Sequence, residues 1–374
     1  MKPLLACLLF TLATPVFAQE IRRALPVDAP VADANDLARF LAGQPAPTLA
    51  AFQQDAFYAK YVKEMGHLWE RYNQNYFSKM RLWSAVELGP RIALNRPVFY
   101  FFGGPDALGP LAYYPDAPVY ILGGLEPVGS IASPQTLTPE AIAEGLSNLR
   151  KSSEVILSFG HFITKDMKAE LDRTAFRGVL PVISVFLSLA GADILSVNYV
   201  GITSAGGIQD FGNSYAGGKG LLPGFKITFQ RAGGRPQVLY YIQANVVDDA
   251  LKSNDGLLKW VSTFGVGNSY LKAASYLTHE NYFSRVRNFI LSRSASILQD
   301  DSGIPFRFLN NGEWNCWLFG SYSGTLEIFT KYHQPDLHSA FASSQVGALP
   351  FGTGYKWRKG ESNLLLAIRA QPPQ

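Results

Sequence analysis

The amino-acid sequence predicts an α/β fold: a Rossmann-like, mixed and mainly parallel sheet with a helical N-terminal extension and a C-terminal β-hairpin. The first observation behind this prediction is an alternation, from Val98 onward, of short apolar β-type runs with helical segments. The runs are 98–102, 119–123, 154–159 and 193–201, and the helical segments lie near 106–114, 138–151 and 165–190. The second is "FKITFQRAGGRPQVLYYIQAN", where two strand-like runs flank a Gly-Gly turn and predict an antiparallel hairpin.

The rest of the chain extends this pattern. Helical stretches are predicted near 254–264, 268–279 and 282–298. The strand-like stretches that follow them are "FRFL", "WNCWLFGSYS" and "GTGYKWRKGESNLLLAIR", the last one a hairpin closed by Arg-Lys-Gly-Glu-Ser. No flexible linker divides the chain, which favours a single α/β domain over residues 51–374 with aromatic-rich amphipathic helices at 51–97.

The first 18 residues have the pattern of a secretory signal peptide. "MKPLLACLLFTLATPVFA" has a lysine near its start, an apolar stretch, and the small residues Val16 and Ala18 before a cleavage site at Gln19. We therefore expect export to the periplasm or the extracellular medium, with the signal peptide cleaved after Ala18. Residues 19–50 are interpreted as a leader segment that wraps onto the domain.

Charge and hydropathy argue against two classes of partner. The 33 Lys and Arg residues nearly balance 29 Asp and Glu, and no run of like charge exists, so a nucleic-acid partner is not expected. The most apolar later stretch, "GVLPVISVFLSLAGADIL", is broken by Pro181 and reaches Asp193 before it is long enough to cross a bilayer. It predicts a buried helix, and no transmembrane segment is expected in the mature chain. Cys316 is the one cysteine left after cleavage, so no internal disulfide is expected.

Two Gly-Gly turns mark the predicted functional edge of the sheet. Gly103 and Gly104 follow one predicted strand and precede Asp106; a second Gly-Gly pair precedes Glu126. In open parallel sheets, ligands bind beyond the carboxyl ends of the strands, so both carboxylates are candidate catalytic groups and the first glycine pair a candidate ligand-binding turn. In the alternative interpretation, the glycines permit tight turns and Asp106 stabilises a helix start.

A nucleotide cofactor is disfavoured at this turn. The spacing from Gly103 to Glu126 is close to that of a dinucleotide-binding loop and its ribose-binding acid. The glycines do not form G-x-G-x-x-G, however, and Pro110 interrupts the helix that would hold a pyrophosphate. The cofactor, if any, stays unknown.

A second acidic segment, "QDDSGIPFRF", contains Asp300 and Asp301. Adjacent carboxylates on a loop can supply an acid and a base or bind a hard cation, but the segment lacks the ligand spacing of an EF-hand, and we assign no metal. The alternative is a solvated turn before a strand.

The helix predicted before that segment raises a question about Arg293. At 100° per residue, Arg293 falls at the centre of the apolar face of "YFSRVRNFILSRSASIL". A guanidinium in that position needs a partner, so we expect either an ion pair with Asp300, Asp301 or another acid of the sheet edge, or an anion-binding role in a pocket.

His161, in "LSFGHFITKDM", is the best candidate general base among the five histidines because it follows a predicted strand. A core or surface histidine with a structural role is the alternative. The histidines lack zinc-ligand spacing, and no G-x-S-x-G motif is present.

Several segments together resemble a family of exported bacterial proteins of uncharacterised activity. They are "FFGGPDALGPLAYYPDAPVYILGGLEPVGSI", "FITKDM", "SYLTH", "ILQDDSGIPFRF" and "LPFGTGYKWRKGESNLLLAI". The resemblance extends from about Trp69 to Arg369 and implies that Gly104-Pro105-Asp106, Glu126-Pro127 and 299–305 are distinctive of the family. Pro110 departs from its pattern, and no reaction is implied.

Two functions remain open. The first is an exported protein that binds a polar small molecule or a glycan at the strand-end edge of the sheet. The second is a hydrolase-type enzyme that uses its acidic residues as acid and base or as ligands of a divalent cation. A pure interaction module, the third possibility, would leave the carboxylates dispersed.

Overall fold

The computed structural model describes residues 34–159, 174–214 and 218–371. In these ranges the chain forms an α/β protein with one ten-stranded sheet and a small two-stranded one. The strands are β1 Val98–Tyr100, β2 Val119–Gly124, β3 Ser130–Ile131, β4 Phe176–Arg177, β5 Ala192–Ile202, β6 Ile208–Asp210, β7 Leu222–Arg231, β8 Gln237–Gln243, β9 Gly267–Leu271, β10 Ser294–Gln299, β11 Trp314–Gly320 and β12 Asn363–Arg369.

Helices cover both faces of the large sheet. The α-helices are α1 Ala34–Leu41, α2 Ala56–Tyr72, α3 Ser78–Trp83, α4 Leu108–Tyr113, α5 Pro139–Phe159, α6 Val179–Leu189, α7 Asp248–Ser253, α8 Gly256–Ser262, α9 Ser284–Arg293 and α10 Pro335–Ser343. Three of the 3-10 turns are Ala273–His279, Phe306–Phe308 and Glu327–Tyr332.

The large sheet is mixed, with a parallel centre. Its strand order is β11-β12-β10-β9-β1-β2-β8-β7-β5-β6. The five central strands, from β10 to β8, are parallel, and the strands on either side pair antiparallel. Four of the nine neighbour pairings in the described sheet are therefore parallel, a smaller share than the mainly parallel sheet we expected. The mixed α/β class is confirmed.

Both faces of the parallel centre are buried, which explains its continuous apolar runs. In β1, Val98 and Tyr100 belong to the apolar core on one face, whereas Phe99 belongs to the core on the other. In β2, Tyr120 and Ile121 divide between the two cores in the same way. Successive side chains of a strand point to opposite faces, so both sets of side chains of a doubly covered strand are buried.

The N-terminal helices are confirmed. A continuous helical segment runs through α2 and α3 to Leu88 and contains two π-helical turns, Asn73–Phe77 and Ser84–Leu88. Its buried aromatic side chains, among them Tyr58, Tyr61 and Tyr72, pack into the same core as Tyr100. Helix α6, the most apolar stretch, is fully buried, as expected. Within the part of the chain that the structure describes, no helix combines the length and the apolar character needed to span a membrane.

Two of the predicted elements on the N-terminal side differ from the structure. Residues 154–159 were expected as a strand but continue α5, where Ile156 and Leu157 are buried. A short apolar run cannot be assigned to strand or helix by its pattern alone. Residues 193–201 do form a strand, β5, but it pairs antiparallel with β7 and β6. The β7–β8 hairpin has the expected antiparallel pairing.

The larger differences concern β9 and β10, two central parallel strands that lie where helices near 268–279 and 282–298 were expected. Their sequences contain polar residues, whereas the sequence of a buried strand is usually an apolar run, and the two strands were therefore not predicted. Asn268 and Ser269 are fully buried, and their side chains bond with Ser296 and Ser294 of β10 at 2.8 and 2.7 Å. These cross-strand hydrogen bonds satisfy polar groups that would otherwise be costly inside a sheet.

The C-terminal strands are antiparallel, with a different partner from the one expected. β12 pairs with β11 on one side and with β10 on the other. "FRFL" is a 3-10 turn, and residues 351–357 make no long strand but cross over the carboxyl ends of β9 and β10. We call residues 351–357 the cover segment.

Gly129 and Gly178 cross at close range and hold the loop that follows β2. Val179 and Leu180 donate their amides to the carbonyls of Pro127 and Val128, at 3.0 Å each. At the crossing, a Cβ on Gly129 would lie 1.8 Å from the carbonyl oxygen of Arg177. Gly129 also has a φ of +79°, which favours glycine.

Replacing Gly129 tests this crossing. Any alanine at a positive φ costs free energy because of its backbone conformation alone. We expect Gly129→Ala to lower the free energy of unfolding by about 1–3 kcal/mol in addition, because the two crossing backbone segments must move apart. Gly191→Ala is the matched control, since Gly191 has the same φ of +79° but open space around its Cβ, and it should show only the φ penalty of about 1–2 kcal/mol. Urea unfolding of both variants measures the difference. Equal losses would contradict the proposed role of the crossing.

Candidate functional site

The order of the parallel strands defines where a site would lie. Numbered along the chain, the five central strands stand in the order 3-2-1-4-5, with β1 first and β9 fourth. The chain therefore leaves β1 to one side and returns to the other side at β9. In open α/β sheets, ligands bind beyond the carboxyl ends of the strands at such a switch point. Asp106 follows β1 here, and Lys272 directly follows β9.

A buried ion pair occupies the switch point. The Lys272 ammonium lies 2.5 Å from Oδ2 of Asp106, and the two residues are 7% and 2% exposed. The Tyr100 hydroxyl donates to the same Asp106 oxygen at 3.2 Å, and the Gly109 amide lies 3.4 Å from the other. Asp106 was predicted as a site residue. Lys272 was not, because the expected helix over 268–279 hid the end of a strand; its one signal was a lone lysine in the apolar stretch "SYLKAASYL".

The backbone beside Lys272 is strained. Ala273 has a φ of +58°, in the left-handed region, and is the one non-glycine residue with positive φ among those described. This conformation costs about 1–3 kcal/mol and persists where the surroundings impose it. The Ser275 hydroxyl bonds with both the amide and the carbonyl of Lys272, at 3.0 and 3.2 Å. The turn therefore holds the lysine in one position.

The acids after β10 lie beside this pair. Asp300 and Asp301 are 4% and 6% exposed. The amide and hydroxyl of Ser302 donate to one oxygen of Asp300. A Cβ on Gly354 would lie 1.9 Å from the other Asp300 oxygen and 3.5 Å from Cγ of Lys272. Asp300 and Lys272 therefore meet beneath the cover segment, which needs a glycine at that point.

Asp301 faces a different set of partners. The Tyr276 hydroxyl donates to it at 2.5 Å, and the amide of Asn363 at 2.9 Å. Both Asp300 and Asp301 were predicted, and the alternative of a solvated turn is wrong because the two side chains are buried. Burial, followed by the neighbouring Asp301 carboxylate, raises the pKa of Asp300 to about 7.

Three tyrosines line the space around the charged groups. Burial raises the pKa of Tyr100, Tyr113 and Tyr270, and the carboxylates of Asp106 and Asp300 raise each further. These phenols therefore stay neutral over the physiological range, and the Tyr100 hydroxyl donates to Asp106. Because both carboxylates raise the pKa of all three tyrosines, Asp106 and Asp300 lie close to the same group of side chains.

Glu126 lies at the same edge of the sheet, over the glycine turn. It is 5% exposed, and the Tyr241 hydroxyl lies 2.8 Å from its main-chain oxygen and 3.4 Å from its carboxylate. A Cβ on Gly104 would lie 3.2 Å from this carboxylate, and one on Gly124 would lie 2.3 Å from it. The Gly-Gly turns thus make room for the Glu126 side chain.

The Gly103–Gly104 turn is not an open phosphate cradle. The amides of Gly103, Gly104 and Asp106 point to carbonyls of the protein itself, those of Tyr100, Gly123 and Gly103. A Cβ on Gly103 would also lie 2.4 Å from the Tyr100 ring. Phosphate-binding loops keep their amides free for the ligand, so the packing alternative accounts for these glycines.

One predicted residue, Arg293, is not brought to this cluster. Arg293 ends α9 and is half-buried at the start of β10, whereas Asp300 follows the other end of that strand, about 20 Å away for six residues. The expected pairing of Arg293 with Asp300 or Asp301 is therefore wrong, because a strand replaces the last turns of the predicted helix. The buried arginine of α9 is Arg287, which donates to the carbonyl of Thr278 at 2.7 Å. His161 lies outside the described residues.

A narrow crevice leads to Lys272. Its walls include the side chains of Tyr72, Tyr76, Tyr270, Lys272, Thr353 and Trp357. Its free volume of about 10 Å³ holds at most about one water molecule. The π-helical turn Asn73–Phe77 contains Tyr76, whose ring stacks on that of Tyr72 at 5.4 Å. Such turns often occur at functional sites.

Comparisons with protein-family models, with curated proteins and with solved structures find no match to this chain. The resemblance noted from the sequence therefore stays a prediction. Within the described ranges, no group of three or more His, Cys, Asp or Glu side chains is arranged to hold a metal ion.

The raised pKa of Asp300 has a consequence for stability. The folded-state pKa of about 7 lies above the ordinary value of about 4, so the folded protein prefers the protonated acid. This contribution to stability is complete below pH 4 and is lost as the pH rises to 7. Asp300→Asn, which mimics the protonated acid, should gain about 2–4 kcal/mol relative to the wild type between these limits.

Urea unfolding at several pH values checks this prediction. The exposed Asp116→Asn is the control and should follow the wild-type pH profile. A constant difference between Asp300→Asn and the wild type from pH 4 to pH 8 would mean that Asp300 titrates normally.

Proposed function

We propose that the protein binds a small polar, sugar-like molecule at the strand-end edge of its sheet, in the crevice above Lys272. The observation that carries this proposal is the buried Asp106–Lys272 ion pair at the switch point of the parallel strands. We also propose that the fold is Rossmann-like, since the order 3-2-1-4-5 is that of nucleotide-binding doubly wound sheets. The use of a nucleotide is not part of the proposal, because the amides of the glycine turn are occupied.

The charges of the cluster support a functional role over a stabilising one. Two carboxylates and an ammonium lie beneath the cover segment, although each loses its hydration when buried. Replacing a buried ion pair by apolar groups is often neutral or stabilising, so such pairs add little net stability. Buried groups with perturbed pKa values, gathered at the ligand edge of a sheet, are typical of binding and catalytic sites.

The walls of the crevice favour a ligand with both apolar and hydroxyl-bearing surfaces. The stacked rings of Tyr72 and Tyr76, together with Trp357, offer flat aromatic faces. Lys272 and Thr353 offer polar groups at its inner end. Because the crevice is nearly filled, the cover segment must move outward to admit a ligand, and its glycines, Gly352 and Gly354, are suited to such a movement.

A second candidate function is acid–base catalysis on the bound molecule, as in a hydrolase. It is favoured by one observation, the pKa of Asp300 near 7 beside Asp301. A buried carboxyl that keeps its proton near neutral pH can act as a general acid. Asp300 would then be the proton donor, with the Ser302 amide and hydroxyl fixing its orientation.

Export of the protein is proposed on the signal-like first 18 residues, and membership of an exported family on the resemblance described above. An exported protein that binds sugar-like molecules would meet them in the envelope or the medium.

A double-mutant cycle separates the functional from the structural role of the ion pair. We expect Lys272→Met alone to destabilise the protein by about 3–5 kcal/mol, because Asp106 is left buried and unpaired. Lys272→Met combined with Asp106→Asn should regain most of that loss, to within about 1 kcal/mol of the wild type. Chemical unfolding gives the four free energies. A double variant that stays as unstable as Lys272→Met would make the pair a structural element and remove the main support for the site.

Tryptophan fluorescence tests binding itself. Glucose, N-acetylglucosamine and its β1,4-linked disaccharide are suitable probes. Binding in the crevice should change the emission of Trp357, and Trp357→Phe should abolish the change. Trp317→Phe, in β11, is the control and should keep it. The double variant of the ion pair should fold but not respond. No response from the wild-type protein to any of the three sugars would reject the sugar-like ligand class.

A further inference from the structure

A second cavity lies on the carboxyl-end side of the sheet, beyond the crevice. Its volume is about 360 Å³, within the range of small-molecule sites. It opens between the turn after β9, the turn after β10 and the segment before α10. Its lining includes His279, Arg307, Lys331, Tyr332, Gln334 and Asp336. None of these residues was singled out in the sequence.

The floor of the cavity is held in place by hydrogen bonds. The Gln334 side chain donates to the carbonyl of Asp301 at 2.9 Å and accepts from the amide of Phe306 at 2.7 Å. The Tyr332 ring stacks on Tyr276 at 5.1 Å, and the Tyr276 hydroxyl bonds to Asp301. The cavity is thus preformed behind the acidic segment and stands apart from the crevice above Lys272.

One pair of charges at the rim is already neutralised. Glu280 lies 2.6 Å from the Lys331 ammonium and 2.7 Å from the Tyr332 hydroxyl. These two contacts lower the pKa of Glu280, which stays ionised. The net charge that this pair presents to a ligand is therefore small.

Among the described residues, the charge of Arg307 is not neutralised in the way that the charge of Lys331 is. In the described part of the chain Arg307 is not among the cations that form an ion pair with a carboxylate, and its guanidinium lies over the Phe308 ring at 5.0 Å. A second guanidinium, that of Arg287, lies 4.8 Å from the same ring. Arg287 donates to main-chain carbonyls, which carry no net charge, and its Nε is buried without an acceptor. Two positively charged guanidinium groups thus lie over one aromatic ring beside the cavity.

His279 adds no charge to this wall. Its Nε2 lies 2.9 Å from the carbonyl of Gly303, which requires the hydrogen on Nε2. Burial, helped by the positive charges of Arg307 and Arg287, lowers the pKa of His279 to about 4. At neutral pH the wall therefore combines a neutral imidazole with the positive charge of Arg307.

Asp336, which also lines the cavity, has a structural explanation. It is the second residue of α10, where a carboxylate is favourable beside the positive end of the helix. The remaining unexplained charge of the cavity is that of Arg307. We propose that this cavity binds a small organic anion with one carboxylate or phosphate group, which the Arg307 guanidinium holds.

Matched probes test the charge requirement. Benzoate and benzamide have the same body and differ by one negative charge, and phenyl phosphate represents the phosphate class. We expect titration calorimetry at low ionic strength to detect benzoate or phenyl phosphate with a Kd below about 10 mM and to detect no binding of benzamide. Tighter binding of phenyl phosphate would assign a phosphate ligand, and tighter binding of benzoate a carboxylate. Failure of both anions to bind would overturn the proposal.

Two charge variants test the assignment to this cavity. Arg307→Gln should weaken anion binding about tenfold or more, the effect of losing a charge-assisted hydrogen bond. Asp336→Asn should strengthen it about two- to fivefold, since a repelling charge is removed. Arg235→Gln, an exposed arginine of the β7–β8 turn, is the control and should leave binding unchanged. Thermal unfolding checks that all three variants fold.

Opposite signs for Arg307→Gln and Asp336→Asn would support the proposal, since a general loss of structure would weaken binding in both variants. Unchanged binding in Arg307→Gln, or weaker binding in Asp336→Asn, would overturn it. The second result would point to a ligand with a positive group facing Asp336.

Discussion

The edge of the sheet that we assign to function depends on the buried ion pair between Asp106 and Lys272. The two residues come from the ends of β1 and β9, the strands at which the chain changes direction in the sheet. Without Lys272, the carboxylates that lie around it would face one another in a space closed to water, at a high cost in free energy. The tyrosine hydroxyls, the strained turn at Ala273 and the glycine of the cover segment all fit around this pair.

The fold brings these charges together by burying both faces of five parallel strands. Helices and hairpins cover the faces, so polar groups that must reach a ligand have one place left, the ends of the strands. The same edge holds two cavities of different character. The crevice above Lys272 is narrow and aromatic, whereas the cavity at Arg307 is larger and lined mainly by charged and polar side chains. Tyr276, which bonds to Asp301 and stacks on Tyr332, connects them.

The candidate site was partly predictable. Asp106, Asp300 and Asp301 follow strands of one sheet and do meet at one edge, and Glu126 lies beside the first glycine turn. The glycines were over-interpreted, since side chains of the protein occupy the space that a ligand would need. Lys272 was missed and Arg293 misplaced for one reason: β9 and β10 contain buried serine and asparagine, which pair across the strands and leave no apolar run in the sequence.

The sequence by itself determined the α/β class, the helical N-terminal part, the buried α6 and the acidic residues that follow β1 and β2. These features follow from local hydrophobic patterns and turn residues, which act over a few positions. Only the tertiary structure decided the strand order, the partner of β12 and the meeting of Lys272 with the Asp106 carboxylate, 166 residues away in sequence. Such contacts depend on which strands pair, and a pairing between distant segments leaves no periodicity within either one.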